Sequence, residues 1–544
     1  MPPTHEVTNQ AQPLYGFDAA AYPAMWDGLA TVDADWATDE LHQLGRLAGS
    51  EQAQEWGRLA EQNSPILRTH DRYGHRIDEV EFHPHWHDLM TVAVENGLHA
   101  APWADDRPGA HVVRAAKNFV WTLTDPGHIC PISMTYAAVP ALREQPDLAN
   151  TYEPLLAARV YDFGLREPTT KRGLIAGMSM TEKQGGSDVR ANTTTARPNP
   201  DGSYRIVGHK WFTSAPMSDV FLTLAQAPGG LSCFLLPRVL PDGTRNAIHL
   251  QRLKDKLGNR SNASSEIEYD GALGWLVGEE GKGVNTIIQM VNLTRLDCTL
   301  GSAAGMRAGV LQAVHHARHR SAFGTTLIDQ PLMTNVLADL AVEAEAATVS
   351  AMRLAGAVDK SLAGDEHESL LRRIGLAVMK YWVCKRAPAH AAEALECLGG
   401  NGYVEESGMP RLFRESPLMS IWEGSGNVAA LDALRAMAKQ PSTVEAFFAE
   451  LDTASGVDGR LDDAVARLRK ELSNLDDVQY RARQVVELMA MVLQGAWLHK
   501  HGNAAAADAF CASRLGGDWG IAFGTLPTGV DTATLIERGS PVGA

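Results

Sequence analysis

The segment 421–427, IWEGSGN, places one carboxylate, that of Glu423, between a bulky aromatic residue and glycines. Apolar surroundings raise the pKa of a carboxyl group, and a base that removes a proton from carbon requires a raised pKa. Glu423 is therefore the candidate catalytic base of this sequence.

Two further segments carry groups suited to a planar, polar cofactor. The first, MTEKQGGSD (180–188), follows a predicted strand, so its glycines can bring backbone N–H groups close to a ligand. Its residues Thr181 and Ser187 add hydroxyl donors for the carbonyl oxygens of a heteroaromatic ring. The second, GHKWFTS (208–214), supplies aromatic side chains that could flank such a ring. The alternatives are an ordinary hydrophilic turn for the first and a core strand for the second.

A fourth candidate is Arg320, which stands at the end of a long predicted helix in the pattern Arg-x-x-Phe-Gly and is followed by Gln330 and Pro331. The guanidinium group offers several rigid donors, which suit a pyrophosphate. The alternative is a surface arginine at a helix C-terminus, where a cation is favourable in any case.

Other motifs do not indicate the functions they suggest at first sight. The motif Gly400-Asn401-Gly402 has Glu405 where a dinucleotide fingerprint needs its third glycine, and it follows a helical pattern instead of a strand. The segment 278–283 lacks P-loop spacing. Three alternating histidines without a nearby Cys or acidic ligand pattern favour a structural loop, so no metal site is predicted at His83, His85 and His87.

The elements that must position these residues change along the chain. We predict an α+β multidomain fold with a helical domain over 1–165, a small antiparallel β-barrel or sandwich over 166–280, and a bundle of long helices over 281–440. The predicted strands are 173–180, 204–212, 220–226, 231–237 and 265–269. The long helices are 284–320, one after Pro331, and 368–398. An extra helical section, 441–544, is predicted to contain helices over 462–475 and 478–498 and an irregular tail from 516.

Composition bounds the class of protein. Of 544 residues, 45% are hydrophobic and 21% are charged, which excludes a largely disordered chain. A net charge of −16 excludes a generally nucleic-acid-coating protein. Six scattered cysteines without a CxxC pair, no targeting signal and no long apolar run together predict a cytoplasmic location and no membrane span.

The four segments, in this order and with the predicted change from helices to strands and back to helices, resemble the acyl-CoA dehydrogenase flavoprotein family over residues 1 to about 440. Four finer segments, 4–10, 82–87, 180–188 and 254–264, are similar to the AidB-like, alkylation-response branch of that family, as is the extra section after 440.

The resemblance implies an FAD-dependent oxidoreductase in which Glu423 removes the α-proton of an acyl thioester. The implied substrates include short and branched acyl chains, and Ser187 is implied to lie beside flavin and substrate. The resemblance also implies a homotetramer, because Arg320 and Gln330 match contacts that cross to a neighbouring subunit. The implied FAD contacts are Met180, Thr181, Gly186, Ser187, Phe212, Thr213, Ser214, Arg320, Phe323, Gln330, Gly399, Gly400, Gly402, Ser425 and Asn427.

Two alternative functions stay open. One is a protective flavoprotein that binds double-stranded DNA through the C-terminal section, as the resemblance implies; the other is a monooxygenase of the same fold, which usually lacks the glutamate. From 436 to 544 the chain has 10 Lys and Arg residues against 14 Asp and Glu residues, a net charge of about −4, which does not favour phosphate binding. The densest basic cluster is Arg467, Arg469, Lys470, Arg481 and Arg483, for which a solvated helix face is the alternative.

Overall fold

The computed structural model describes residues 4–517 and 519–543. Met1 and Ala544, the outer limits of the predicted first and last domains, lie outside the described residues. The chain divides into two compact units. Unit 1 contains the residues up to 51, residues 111–123 and the residues from 298 onward, and unit 2 contains residues 52–110 and 124–297.

Helices make up most of the elements of the described chain. They are α1 (Pro23–Leu29), α2 (Thr38–Ala48), α3 (Glu51–Gln62), α4 (Pro84–Glu95), α5 (Ala110–Thr122), α6 (Ile129–Leu142), α7 (Pro146–Ala157), α8 (Gly283–His319), α9 (Pro331–Leu362), α10 (Glu366–Glu396), α11 (Met409–Glu415), α12 (Leu418–Ile421), α13 (Gly426–Lys439), α14 (Ser442–Asp452), α15 (Gly459–Leu472), α16 (Ala482–His501), α17 (Ala504–Phe510) and α18 (Thr532–Arg538).

The strands lie mainly between α7 and α8. They are β1 (Ile66–His70), β2 (Arg76–Glu81), β3 (Ala176–Ser179), β4 (Thr195–Pro198), β5 (Tyr204–Ser214), β6 (Val220–Ala227), β7 (Gly230–Pro237), β8 (Ile248–Leu253), β9 (Ser264–Val277), β10 (Ser321–Ala322) and β11 (Thr325–Thr326).

The sheet of unit 2 closes on itself, as the predicted barrel requires. Its strand order is β3-β6-β4-β5-β9-β7, and β7 pairs with β6 as well as with β9. The core of this sheet includes Ile206, Phe234, Leu236, Leu250 and Ile267, all nearly inaccessible to solvent. The prediction of a small barrel is confirmed, although β3 and β4 run parallel to β6 and the sheet is not purely antiparallel.

The prediction of a purely helical first segment is wrong at residues 66–81, where β1 and β2 form an antiparallel hairpin. A turn at Asp71 connects them, and its carboxylate accepts hydrogen bonds from the backbone N–H groups of Tyr73 and His75, 2.8 and 2.9 Å away. In β1 no residue is fully buried, so the alternation of apolar and polar side chains that marks a strand is weak there.

The three predicted long helices are confirmed as α8, α9 and α10. The chain leaves α10 through Cys397 and reaches Gly399, whose φ of +58° stops helical continuation. In α9 the residues from Leu337 to Val358 are buried all round, which is the pattern of a helix at the centre of its unit.

Carboxylates on the buried face of α9 are neutralised by arginines that come later in the chain. Arg514 contacts Asp339 at 2.5 Å and Glu343 at 2.9 Å, and Arg386 reaches the other oxygen of Glu343 at 3.1 Å. Burial alone would raise the pKa of Glu343, but the charges of Arg386 and Arg514 outweigh it and lower the pKa to about 2.

Two more arginines repeat this arrangement. Arg538 of α18 contacts Glu345 of α9 at 2.9 Å, and Arg353 of α9 contacts Glu368 at 2.7 Å and Glu450 of α14 at 3.1 Å. The section after residue 440, predicted as an extra domain, therefore lies in the same compact unit as the helical bundle.

We expect Arg514→Met to destabilise the protein by about 3–5 kcal/mol, because it leaves Asp339 buried without its arginine and removes one of the two arginines that contact Glu343. The urea midpoint of unfolding measures the loss. The matched control is Arg469→Met, which removes an exposed ion pair with Asp452 (side chains 48% and 61% accessible) and should cost less than about 1 kcal/mol. Equal losses in the two variants would contradict the role given to burial.

Candidate functional site

In unit 2 the loop 180–188 and the end of β5 form one continuous edge. The N–H of Trp211 donates to the carbonyl of Thr181 at 2.7 Å, which fixes the loop against the strand. Gly185 has a φ of +124°, which only glycine adopts without strain. A Cβ on Gly186 would lie 2.5 Å from the hydroxyl of Thr181, so the loop is tightly folded over that side chain. Ser187 is exposed, and Met180 is half-buried.

An irregular register in β5 sets the direction of its aromatic residues. Lys210 pairs with Ile267 and Thr213 with Ser265, so β5 carries one residue more than β9 between these pairs. Such a bulge turns side chains away from strict alternation. Phe212 is 52% exposed and Ser214 is half-buried, and both are available at the edge.

Thr213 turns the other way, into the barrel. Its side chain is buried and shares a 2.5 Å hydrogen bond with the hydroxyl of Ser179, and its carbonyl accepts from Ser265 at 2.9 Å. The hydroxyl of Thr213 is therefore directed into the barrel, and the predicted contact of Thr213 with FAD stays a prediction.

A fully buried ion pair supports this edge from beneath. Lys210 donates to Glu182 at 2.9 Å and to the carbonyl of Leu224 at 2.8 Å. Burial alone would raise the pKa of Glu182, but the N–H of Thr193 and the charge of Lys210 outweigh it and lower the pKa to about 2. Lys210 has its pKa lowered to about 8 by burial, which still leaves it protonated at neutral pH.

A cationic group that the sequence analysis missed covers the aromatic end of β5. The Nζ of Lys254 lies 3.5 Å from the ring centre of Trp211 and 4.6 Å from that of Phe212. Lys183 and Arg252 lie near the same indole, at 5.6 and 5.9 Å. Lys254 begins the segment 254–264 that carries the family resemblance, which is the signal that could have identified it.

In unit 1, Glu423 occupies a strained turn between two helices. Its φ is +55°, in the left-handed region that residues other than glycine rarely adopt. Lys380 donates to the carbonyls of Gly424 and Ser420, which holds the turn in place. The side chain is half-buried, and Trp422 precedes it in extended conformation. A non-glycine residue held in this conformation carries a cost in backbone energy, which makes Glu423 a candidate for a functional role.

The turn ends at the N-terminus of α13. The exposed side chain of Ser425 precedes Gly426 without making a capping hydrogen bond, so the first N–H groups of the helix are not satisfied by it. Asn427 is exposed and accepts a hydrogen bond from Arg483 at 2.8 Å. Glu423 and Ser425 therefore stand at a helix end that favours negative charge.

Arg320 is held by the N-terminal segment. Its Nη1 donates to the carbonyl of Asn9 at 2.6 Å, and the side chain of Asn9 exchanges hydrogen bonds of 2.7 and 2.8 Å with the backbone of Ser321. Asn9 belongs to the segment 4–10 that carries the family resemblance, but its role was not predicted.

Phe323 follows Arg320 in a short turn, with a φ of +54° and a fully exposed ring. Gln330 is half-buried and donates to the carbonyl of Ala322 at 2.9 Å, and Leu332 behind it is 84% exposed. Exposed large apolar side chains at this place are consistent with the predicted homotetramer, which stays a prediction.

The three glycines after α10 differ in what requires them. A Cβ on Gly402 would lie 2.1 Å from the carbonyl oxygen of Leu395, so packing against α10 alone excludes a side chain. Gly399 and Gly400 have no neighbouring atom within 4 Å of a Cβ position and leave open space. A close cofactor approach is thus available at Gly399 and Gly400, whereas Gly402 is explained by the helix.

Each of the three histidines near α4 has its own local hydrogen bond. The Nδ1 of His83 accepts from the N–H of His85, the ring of His85 contacts Asp88 at 2.7 Å, and His87 contacts the hydroxyl of Tyr161 at 3.0 Å. The first of these contacts caps the start of α4, and the third connects this helix to Tyr161.

The predicted basic cluster is only partly available. Arg469 pairs with Asp452 at 2.8 Å and lies over the ring of Phe448, and Arg481 pairs with Glu471 at 2.6 Å. Arg467 and Lys470 are exposed on α15. Arg483 donates a hydrogen bond to the neutral amide of Asn427.

Family models cover most of the chain. The AidB N-terminal domain matches residues 9–163, the acyl-CoA dehydrogenase middle domain matches residues 177–272, and the acyl-CoA dehydrogenase C-terminal domain matches residues 281–438. These three matches lie within the segments 1–165, 166–280 and 281–440 predicted from the sequence.

Individual proteins agree with these matches. The chain is 45% identical to AidB of Escherichia coli (strain K12) over 516 residues, which are 94% of each chain. The crystal structure of Caenorhabditis elegans ACDH-11 in complex with C11-CoA is similar with a TM-score of 0.84 and 28% identity over 93% of each chain. A Bacillus anthracis acyl-CoA dehydrogenase complexed with FAD shares the fold, with a TM-score of 0.63 and 20% identity over 78% of this chain and 80% of that one.

We expect Lys210→Met to destabilise the protein by about 3–5 kcal/mol at pH 7, because Glu182 would stay buried without its cation. The pKa of Glu182 is lowered in the folded protein, so its stabilising effect is present above about pH 4.5 and is lost as the pH falls towards about 2. The difference in urea midpoint between wild type and variant should therefore shrink over that interval.

The double variant Glu182→Gln/Lys210→Met is the control for the ion pair and should be more stable at pH 7 than Lys210→Met. A Lys210→Met protein as stable as wild type at pH 7 would show that the pair does not support the edge of β5.

Proposed function

We propose that this chain, which belongs to the acyl-CoA dehydrogenase family of FAD-dependent oxidoreductases and to its AidB-like branch, oxidises an acyl thioester with Glu423 as the base. The observation that carries the proposal is the strained, half-buried position of Glu423 at the N-terminus of α13. A carboxylate kept in a left-handed conformation costs about 1–3 kcal/mol of stability, which a purely structural turn would avoid with glycine.

The residues present fit FAD as the cofactor. Phe212 offers an exposed aromatic face, and the hydroxyls of Thr181 and Ser214 lie half-buried at the same edge of the barrel. Lys254 lies beside this edge, and although its Nζ pairs with Glu266 at 2.6 Å, an ammonium group retains further donors for a carbonyl oxygen or a phosphate. Arg320 retains donors besides the one that it gives to Asn9, since a guanidinium has five.

FAD, when bound, supplies the hydride acceptor for the β-carbon of the substrate. The chain itself contributes the base and its placement. We propose that Glu423 removes the α-proton of the thioester, that the backbone N–H of Glu423 helps to polarise the thioester carbonyl, and that Ser187 stands beside flavin and substrate. Ser425 and the first N–H groups of α13 favour the negative charge that develops as the proton leaves.

An acyl-CoA is the proposed class of substrate. The support is the likeness to C. elegans ACDH-11, whose crystal structure contains C11-CoA, at 28% identity across 93% of both chains. We extend the proposal to short and branched acyl chains, because Glu423 and its turn act on the α-carbon and do not depend on the length beyond it.

We expect Glu423→Gln to fold and to retain flavin, because the amide has nearly the shape of the carboxylate, but to lose at least ~100-fold of any α,β-dehydrogenation. Anaerobic bleaching of the flavin absorbance by a panel of short, branched and C11 acyl-CoAs measures the reaction. The control is Glu405→Gln, an exposed glutamate of the same unit that pairs with Arg414 and should react like wild type.

Undiminished flavin reduction in Glu423→Gln would show that Glu423 is not the base. Loss of flavin together with activity would instead indicate that the turn had misfolded, and the absorbance spectrum of the purified variant separates the two cases.

A second candidate function, binding of duplex DNA by the C-terminal section, is favoured by the exposed Arg467 and Lys470 on one face of α15. The neighbouring Arg469 and Arg481 are paired with carboxylates, so this surface would neutralise few phosphates. We therefore propose at most weak, salt-sensitive binding of duplex DNA. A protective role against alkylation damage is the function that would correspond to this binding, as the alternative to the dehydrogenase.

We expect any affinity for a plain 30-base-pair duplex to fall with salt with a log–log slope of only about −2 to −3, the value for two or three contacts. Gel shifts or fluorescence anisotropy over a range of salt concentrations measure the slope. The variant Arg467→Ala/Lys470→Ala should lower its magnitude by about 2, whereas Glu423→Gln should leave it unchanged. An equal slope in wild type and double variant would place the DNA surface elsewhere.

A further inference from the structure

Three side chains of different chemistry converge in the C-terminal section, far along the chain from the candidate active-site segments. The Nε2 of His499 lies 3.5 Å from a carboxylate oxygen of Asp458 and 3.5 Å from the Sγ of Cys511. All three potential ligand atoms lie within 4.8 Å of one another, and no other such group of His, Cys, Asp and Glu side chains occurs among the described residues.

The contacts exclude a catalytic triad as the explanation. In a triad the histidine uses one ring nitrogen for the nucleophile and the other for the carboxylate. Here the thiol and the carboxylate both approach Nε2, so they surround one point beside that nitrogen instead of standing on opposite sides of the ring.

The spacing is the one that a tetrahedral cation requires. Zinc binds His nitrogen and Asp oxygen at about 2.0–2.2 Å and Cys sulfur at about 2.3 Å, and tetrahedral angles then separate two ligand atoms by roughly 3.3–3.6 Å. The two distances of 3.5 Å meet this condition before any movement. A nitrogen, a sulfur and an oxygen ligand together suit Zn²⁺ and do not suit Mg²⁺ or Ca²⁺, which take oxygen ligands.

The ligand atoms are carried by three separate elements and are largely shielded from water. Asp458 precedes α15 as its N-cap, His499 lies in the last turn of α16, and Cys511 opens a π-helical turn, Cys511–Leu515, after α17. The side chains of Asp458 and His499 are 8% and 19% accessible, and Cys511 is fully buried. Single π-helical turns are rare and occur frequently at functional sites, which is an observation independent of the ligand distances.

Arg460 completes the surroundings of Asp458. Its Nε and its backbone N–H both donate to Oδ1, at 3.0 and 2.8 Å, and its Nη2 donates to Oδ2 at 2.5 Å, which orients the carboxylate. A metal at Oδ2 would use the second lone pair of that oxygen and share it with Arg460. Such hydrogen bonds to a ligating carboxylate are typical of metal sites. Arg460 also contacts Asp508, at 2.7 Å, one helical turn before Cys511.

The charges balance once a divalent cation is added. The carboxylates of Asp458 and Asp508 and a thiolate at Cys511 are three negative groups, and Arg460 with Zn²⁺ carries the same amount of positive charge. Without the cation, the two carboxylates exceed the charge of Arg460 by one even when the thiol is protonated.

We propose that Asp458, His499 and Cys511 bind one Zn²⁺, with water or Asp508 as the fourth ligand. The ion would join α15, α16 and the turn after α17, three elements that meet at this point, and its role would be structural. Binding replaces the proton of the Cys511 thiol by the metal and releases that proton to solvent.

The test uses the tag-free, full-length protein, stripped of metal with a chelator and then titrated with Zn²⁺. We expect one zinc ion per chain by elemental analysis after desalting, and a thiolate-to-metal charge-transfer band when Co²⁺ replaces Zn²⁺. Cys511→Ser and His499→Gln should each weaken zinc binding by at least ~10-fold, and the cobalt band should disappear in Cys511→Ser. A rise in melting temperature on zinc addition should occur in wild type and be absent at the same zinc concentration in Cys511→Ser and His499→Gln.

The matched control is Cys397→Ser, another buried cysteine of the same unit, which should bind zinc like wild type. Wild-type protein that retains no zinc after desalting would overturn the proposal. So would a Cys511→Ser protein, folded by circular dichroism, that retains both stoichiometry and cobalt band. Flavin content, measured in the same samples, should not change with zinc, so failure here is distinguishable from failure of the proposed dehydrogenase.

Discussion

Unit 1 is organised by the need to neutralise carboxylates inside a helix that is buried on all sides. Asp339, Glu343 and Glu345 lie on α9 with little or no access to water. An isolated charge at such a depth costs several kcal/mol, and here arginines from α10, from the turn after α17 and from α18 offset that cost. Arg514 and Arg538 are for this reason part of the core of unit 1, although they come late in the chain.

The same constraint links the bundle to the turn that carries Glu423. Helix α10 supplies Arg386 to the buried charges of α9 and, one and a half turns earlier, supplies Lys380 to the carbonyls of Gly424 and Ser420. Pairing of the buried acids fixes the position of α10, and α10 in turn fixes the backbone at the candidate base. A strained residue persists only when its surroundings determine its conformation in this way.

In unit 2 the corresponding support is local. The bulge in β5 presents Phe212 and sends Thr213 inward, while Glu182 and Lys210 anchor the strand and the loop to each other. Both units therefore depart from regular geometry at the segments in which the sequence predicts chemistry. Local rules of sequence and structure are expected to conflict at functional sites.

Much of this architecture could be predicted from the sequence, because periodicity is a local property. Strand β7 and helices α8, α9 and α10 were placed to within a few residues, since long apolar patterns and glycine or proline boundaries mark them. Strands β1, β4 and β8 were missed because they are short and partly exposed.

What the sequence could not provide were contacts between distant positions. Arg514 and Asp339, which form an ion pair, are 175 residues apart in the sequence. Arg320 and Asn9, which form a hydrogen bond, are 311 residues apart. Nor could the glycine at 402 be recognised as a packing requirement, because the carbonyl that excludes a side chain there belongs to Leu395 in the finished helix.

The left-handed backbone at Glu423 means that the type of residue at this position affects the stability of the folded protein. Glycine is the most stable choice for such a φ, and asparagine or aspartate is the next. Folding alone would therefore favour another residue at position 423. Glutamate there carries a cost in stability, which the proposed role of its carboxylate as the base would account for.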